Sequence, residues 1–219
     1  MGLVLGGGVV GKRKGGIFDY IPAGDEMYNL FTVYRTLWCS GRPGGGKTSL
    51  AVYLALRLVA DRRVTGIGTN TRLRLPAGWV ETERSSSAEL VEETDIALIV
   101  DEAWSEVGVG NDKAVKTWLA YPRKKNQFLL FPSVLPVSRQ VAVYRVERVL
   151  NLSALGIPVW CYRYCLQVGL GDSMEGVWYW RRPSQVFALY DHTATVGNSY
   201  YVYRYHDSES VDGSESQAV

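Results

Sequence analysis

Cysteine is scarce. The chain has three in 219 residues, an odd number that argues against a disulfide framework. Cys161 and Cys165 sit four apart in a strand-like stretch and would share one face. A metal site there would need further ligands, and the only histidines, His192 and His206, lie far along the chain. Packed or free thiols are the expectation. Long apolar runs are missing too, since none approaches the roughly 20 residues that cross a bilayer. At the N-terminus the basic residues follow the apolar ones, the reverse of a secretory signal. The expected state is soluble, in the cytosol or carried inside a particle. No internal repeat is visible.

Charge of one sign does not dominate, and the formal net charge is +2. The last thirteen residues, 207–219, hold Asp207, Glu209, Asp212 and Glu215 but no lysine or arginine, which leaves the body six charges positive. A mildly basic body tolerates a polyanionic partner without requiring one. The Ser- and acid-rich tail is expected to be disordered. The glycine-rich start, with Lys12, Arg13 and Lys14, reads as a flexible basic arm. The expected division is an arm over 1–28, a core over 29–156, a β-rich aromatic portion of the same domain over 157–206, and the tail over 207–219. A chain of this length can bury a full core without covalent staples.

Phe31–Cys39 (FTVYRTLWC) is β-branched and aromatic and predicts a strand. Thr48–Ala60 is apolar nearly all round, as in a helix buried against a sheet. Val64–Thr69 predicts a second strand, and the loop after it reaches Pro76–Gly78. Ser86 with Glu89 forms the capping-box pattern that opens a short helix through Glu93. Ile96–Val100 is a continuous apolar strand, residues 112–121 are helix-like, and Phe128–Phe131 and Val146–Leu152 predict two more strands. Beyond Ile157 the segments VWCYRYCLQV, GVWYWRR, QVFALY and SYYVYRY alternate like antiparallel strands, with GLGDSMEG over 169–176 as a hairpin loop.

Between the first strand and the buried helix lies GRPGGGKT, Gly41 to Thr48, which fits G-x-x-x-x-G-K-[ST] at every position. Gly44, Gly45 and Gly46 lack a Cβ, so the backbone can curl and turn its N–H groups toward phosphate oxygens. The helix that follows adds the positive end of its dipole. Lys47 supplies a point charge for the β- and γ-phosphates, and Thr48 a hydroxyl for Mg²⁺. Gly41, Arg42, Pro43 and Ser49 complete the expected phosphate-binding segment. A second match, Gly6–Arg13 (GGGVVGKR), ends in Arg13, which cannot ligate a metal, and is assigned to the arm. The strand–helix alternation then implies an α/β fold, a P-loop NTPase three-layer sandwich around a mostly parallel sheet with a β-rich C-terminal portion.

IALIVDE places Asp101 and Glu102 at the carboxyl end of a buried strand, where open α/β sheets bind ligands. Asp101 is expected to hold the metal, and Glu102 to orient and activate the attacking water. A phosphoryl-transfer kinase has less use for the second acid, so the pair favours hydrolysis.

These pieces resemble the FtsK–HerA superfamily of P-loop ATPases, especially small viral genome-packaging members and the zonular occludens toxin-like phage assembly proteins. The resemblance rests on GRPGGGKTSLAVYLALRLV, GTNTRL with Asn70, IALIVDEAW, and PRKKNQFLLFPS with Arg123, and spans about Phe31 to Leu152. It implies ATP as the nucleotide, with Mg²⁺, and a homo-oligomeric ring that moves DNA without reading its bases. Virion or portal-vertex components are further implied partners, and host cytoplasm or virion the location. It also implies a polar sensor after the last core strand, where Ser133 stands in place of the usual Gln. Arg123 matches a family arginine with a catalytic part. A finger arginine acting across subunits is implied as well, with Arg145 and Arg148 as candidates. Zonular occludens toxin-like proteins generally carry a membrane span and this chain has none, which favours genome packaging. An assembly or export ATPase, a P-loop small-molecule kinase and a non-catalytic nucleotide-binding protein are the other readings.

Residues 157–205 hold 12 of the 26 aromatics, interleaved with Arg163, Arg181, Arg182 and Arg204. Cross-strand pairing in a sheet is the favoured account. A subunit interface or stacking on nucleic acid are the alternatives.

Overall fold

A computed structural model describes residues 26–102, 122–135, 144–151, 159–168, 172–181, 186, 188–190 and 199–206. Its elements are α1 (Glu26–Tyr34), β1 (Thr36–Ser40), α2 (Lys47–Ala60), β2 (Gly66–Thr69), β3 (Trp79–Arg84), α3 (Ser87–Glu92), β4 (Ile96–Ile99), β5 (Gln127–Pro132), β6 (Tyr144–Asn151), β7 (Val159–Val168), β8 (Asp172–Arg181) and β9 (Tyr200–Tyr205). Residues 1–25 of the expected 1–28 arm, the helix over 112–121 and the acidic tail lie outside the described residues.

The strands form one nine-stranded mixed sheet in the order β3-β9-β2-β4-β5-β1-β6-β7-β8. The inner five, β2, β4, β5, β1 and β6, are mutually parallel, whereas β9 runs antiparallel to β2 and β3, and β7 and β8 continue antiparallel from β6. The fold is α/β, compatible with a Rossmann- or P-loop-like sandwich. Because β5 lies between β1 and β4, the residues following all three strands converge on one edge of the sheet.

One apolar cluster joins α1 and α2 to one face of the sheet, and a second joins α3, through Leu90 and Val91, to the other. In α2 every residue but Thr48 and Ala60 is buried, as the unbroken apolar sequence requires. Each of its fully buried leucines contributes about 2 kcal/mol. α2 ends in a Schellman turn, where Arg63 N–H donates to Leu58 O and Arg62 N–H to Val59 O, with Arg62 in the left-handed region at φ 54°. α1 closes in the same hand, with Arg35 at φ 61° donating its N–H to Phe31 O. Glycine is the usual occupant of such positions, and an arginine there costs about 1 kcal/mol.

Three expectations need correction. Phe31–Tyr34 is the last part of α1, and the strand begins only at Thr36. Met27, Tyr28 and Phe31 recur at helical spacing and are all buried, so packing overrides the weak β preference of Thr32, Val33 and Tyr34. α1 also takes in the end of the expected 1–28 arm. The 169–176 segment is not all loop, since Asp172–Gly176 pair with Tyr164–Val168 in the β7–β8 ladder. The described residues of QVFALY do not form a strand. Val186 and Ala188 are helical, and Tyr190 makes an isolated bridge to Leu73.

β3 was not foreseen. Its residues WVETER are mostly exposed and, among the described residues, pair only with β9, as suits a charged edge strand. Glu93 fastens this edge. Its Oε1 accepts from Arg84 Nη2 at 2.6 Å and its Oε2 from Arg204 Nη2 at 2.9 Å, which joins the end of α3 to β3 and β9. Gln127 caps α3 by donating to Val91 O and Glu93 O. The capping pattern is half realised: Ser86 Oγ accepts from Glu89 N–H, and the Glu89 carboxylate reaches back to Ser85 rather than to Ser86 N–H. Among the described residues, no helix is long and apolar enough to cross a membrane.

Candidate functional site

The loop between β1 and α2 is curled by its glycines. Gly41, Gly44 and Gly46 have φ of 134°, 68° and 79°, a region that side chains resist. Gly45 is required for a different reason: a Cβ there would stand 2.7 Å from Arg42 O, the carbonyl to which Gly45 N–H donates. Gly46 caps α2 without a side chain, so no side-chain oxygen occupies the first N–H groups of the helix. The cradle therefore keeps free main-chain donors and the positive end of a fourteen-residue helix in one place.

Lys47 opens that helix. It is buried, and its Nζ donates to Arg42 O at 3.3 Å, so the ammonium leans over the loop rather than into solvent. Thr48 Oγ1 donates to Asp101 Oδ2 at 2.8 Å, across the gap between the helix start and the end of β4. The buried hydroxyl of Ser49 pairs with Tyr190 OH at 2.6 Å. Arg42 and Pro43 are exposed, and Arg42 contributes its carbonyl to the loop.

Asp101 is held by its backbone. Asn70, at the end of β2, donates through Nδ2 to Asp101 O and accepts Asp101 N–H at Oδ1, both at 2.8 Å. Burial pushes the Asp101 carboxyl up from 3.8 to about 6, and the neighbouring Glu102 charge adds to the rise. The Thr48 hydroxyl, the Glu102 N–H and the Lys47 charge oppose it. Burial likewise pushes the Cys39 thiol well above its ordinary value, so this cysteine, one strand away, is an inert packed thiol.

Glu102 takes a left-handed backbone at φ 48°, and its N–H donates both to Asp101 Oδ1 at 3.0 Å and to Pro132 O at 2.9 Å. Strain of this kind costs about 1–3 kcal/mol and recurs where a side chain must be aimed. Ser133 sits between the other two strand ends. Its N–H donates to Cys39 O, but its buried hydroxyl donates to Leu135 O at 2.6 Å, so it is committed to its own loop.

Arg123 is not brought here. It precedes β5 at the amino ends of the strands and donates to Val33 O, which precedes β1, so the length of the sheet separates it from Gly41–Thr48. The resemblance put it just upstream of the β5 strand, and that is where it stands. Arg145 pairs in register with Trp38, mid-strand, with its guanidinium 5.9 Å from that ring. Arg148 follows Glu147, the partner of Ser40, and so lies midway along β6, just past the level of the carboxyl end of β1.

No family model, no curated protein and no solved structure matches this chain. What the site can hold is therefore judged on its own chemistry. A hydroxyl and a carboxylate 2.8 Å apart are hard oxygen donors of the kind Mg²⁺ takes, and beside them lies a loop of free N–H groups with an ammonium over it. The donor set fits a magnesium-bound polyphosphate. Two residues were undervalued by sequence reasoning. Asn70 was noted only as a family match, although a polar residue straight after a buried strand next to the acidic strand is a readable signal. Tyr190 gave no signal.

Proposed function

We propose that this chain is a magnesium-dependent ATPase of the FtsK–HerA kind, a motor that moves DNA into a viral particle as a homo-oligomeric ring. The observation that carries the reading is the meeting of Thr48 Oγ1 with Asp101 Oδ2 at the carboxyl ends of β1 and β4. A glycine-rich turn can arise for structural reasons alone. A turn that also sets its threonine against the acid of another strand has the parts of a metal–phosphate site.

In this reading the N–H groups of Gly44 and of Gly46 to Thr48 bind phosphate oxygens, and Lys47 leaves Arg42 O for the β- and γ-phosphates. Thr48 and Asp101 hold the magnesium ion, which when bound neutralises charge on the phosphates. Asn70 keeps Asp101 from shifting. Glu102 accepts the proton of the attacking water, its strained backbone fixing the direction of the carboxylate. Ser133 orders the loop beyond β5. Of the two candidate fingers, Arg148 lies nearer the Gly41–Thr48 end of the sheet than Arg145. The DNA-packaging role draws its support from the family resemblance and from the basic body of the chain.

The deciding experiment measures phosphate release from ATP and Mg²⁺ with no acceptor present, with and without duplex DNA. Turnover that rises with DNA, falls at least about 100-fold in Lys47→Ala, and falls similarly in Glu102→Gln while nucleotide still binds, is the expected result. Release that requires a small-molecule acceptor would point to a kinase. Unchanged turnover in Lys47→Ala would remove the site.

A further inference from the structure

The amino ends of the parallel strands, the edge opposite the phosphate cradle, carry a cluster of cations. Arg35 leads into β1, Arg62 and Arg63 lead into β2, and Arg123 and Lys124 lead into β5. Asn126 ties these three loops together. Its Oδ1 accepts from Arg35 Nη1 at 2.9 Å, its Nδ2 donates to Arg63 O at 2.9 Å, and its own backbone is left-handed at φ 51°. Arg62, Arg63, Arg123 and Lys124 are exposed, and Arg35 is half-exposed.

The acids of the same edge are already engaged. Asp61 faces Arg57, Asp95 accepts from Asn126, Glu92 pairs with Lys125, and Glu93 holds Arg84 and Arg204. Arg35, Arg62, Arg63 and Arg123 have no ion pair among the described residues. The arginines act on one another: burial lowers the pKa of Arg35, and the Arg123 and Arg63 charges lower it further.

Two features argue against a merely solvated face. Arg35 and Arg62 stand where α1 and α2 turn left-handed, positions that glycine fills without strain. The helix dipole does favour a cation near a C-terminus, but α2 already has Arg57 in its last turn. The chain thus tolerates strain and like-charge repulsion at one place, and an anionic partner relieves the second. Four of the five cations are arginines, whose planar fork suits phosphate. Exposed Tyr34, next to Arg35, adds a ring against which a sugar or base can lie.

We propose that this edge, formed by Arg35, Arg62, Arg63, Arg123 and Lys124, is a docking surface for the sugar–phosphate backbone of nucleic acid. It rests on the motor reading for its biological sense but not for its chemistry. It also reassigns Arg123, whose place is with the polyanion rather than with the γ-phosphate. Tracking the backbone at one end of the strands while the nucleotide is held at the other lets relative motion of subunits act on the DNA.

The test is a salt titration of duplex-DNA binding by the full chain, without nucleotide, comparing it with Arg62→Ala/Arg63→Ala/Lys124→Ala. The variant is expected to bind on the order of 100-fold more weakly near 0.1 M salt, with the log–log salt slope reduced by about 2–3. Its melting temperature and its DNA-independent ATP turnover should match the parent. Arg62→Gly should raise the melting temperature by about 2–4 °C while weakening DNA binding, a trade that a purely structural arginine would not show. Unchanged affinity and slope in the triple variant overturn the proposal. So does binding to phosphatidylserine vesicles with none to DNA. A chain that binds DNA through this edge yet never hydrolyses ATP keeps the surface and loses the motor.

Discussion

Asp101 shows how one residue couples the site to stability. Its carboxyl titrates near 6 in the folded chain, against 3.8 when unperturbed. Between those values the folded state binds more protons than the unfolded one, so this group's contribution falls as pH rises and is flat above about 6. Its ionised form therefore costs the nucleotide-free protein about 1–3 kcal/mol at neutral pH. Asp101→Asn is expected to melt higher than the parent at pH 7, with the difference closing by about pH 4, and to lose magnesium-dependent turnover. Denaturant titrations at the two pH values measure the first part. Asn70→Ala removes both hydrogen bonds that fix the Asp101 backbone. The magnesium concentration needed for half-maximal turnover should rise about 10–100-fold, as for other residues that orient a metal ligand. An unchanged magnesium dependence would mean that Asp101 is held well enough without it. The glycines and Lys47 were readable in the sequence because the pattern they match fixes residue types at fixed spacing. Asn70 was harder, because one asparagine can support a backbone in many ways.

At the scale of elements, legibility followed apolar continuity. β4 and β5 are fully buried, and each shows up as an unbroken apolar run in the sequence. β3 is a charged edge whose only partner among the described residues is β9, more than a hundred residues later, so no local pattern marks it. α1 was hidden by the opposite error, because aromatic and β-branched residues can face a core from a helix as well as from a strand. The β3 edge depends on charge pairing that an apolar strand would not need. Glu93→Ala would leave Arg84 and Arg204 half-buried without their shared acid. A loss of about 1–3 kcal/mol is expected, read as a drop of several degrees in melting temperature. Glu93→Gln should recover part of it. If both variants melt like the parent, the network is ornamental.

Across the whole molecule, the sheet is completed out of chain order. β9 lies between β2 and β3, and the Tyr203 hydroxyl accepts from Leu73 N–H at 2.9 Å and donates to Leu73 O at 3.2 Å. Ending the chain at residue 199 should therefore leave β2 with an open edge and give aggregated protein, while ending it at 206 should leave folding and turnover intact. Size-exclusion profiles of the two truncations decide this. The aromatic alternation of SYYVYRY was visible, but its insertion beside β2 was not, because pairing across some 130 residues leaves no local trace. The late insertion has a cost during synthesis. β9 leaves the ribosome after every other described strand, so the half that carries the Gly41–Thr48 loop waits, unclosed and adhesive, until the last described strand is made. Such a chain depends on chaperones to keep it from sticking to its sisters, and its yield should improve when elongation is slowed or growth is cooled.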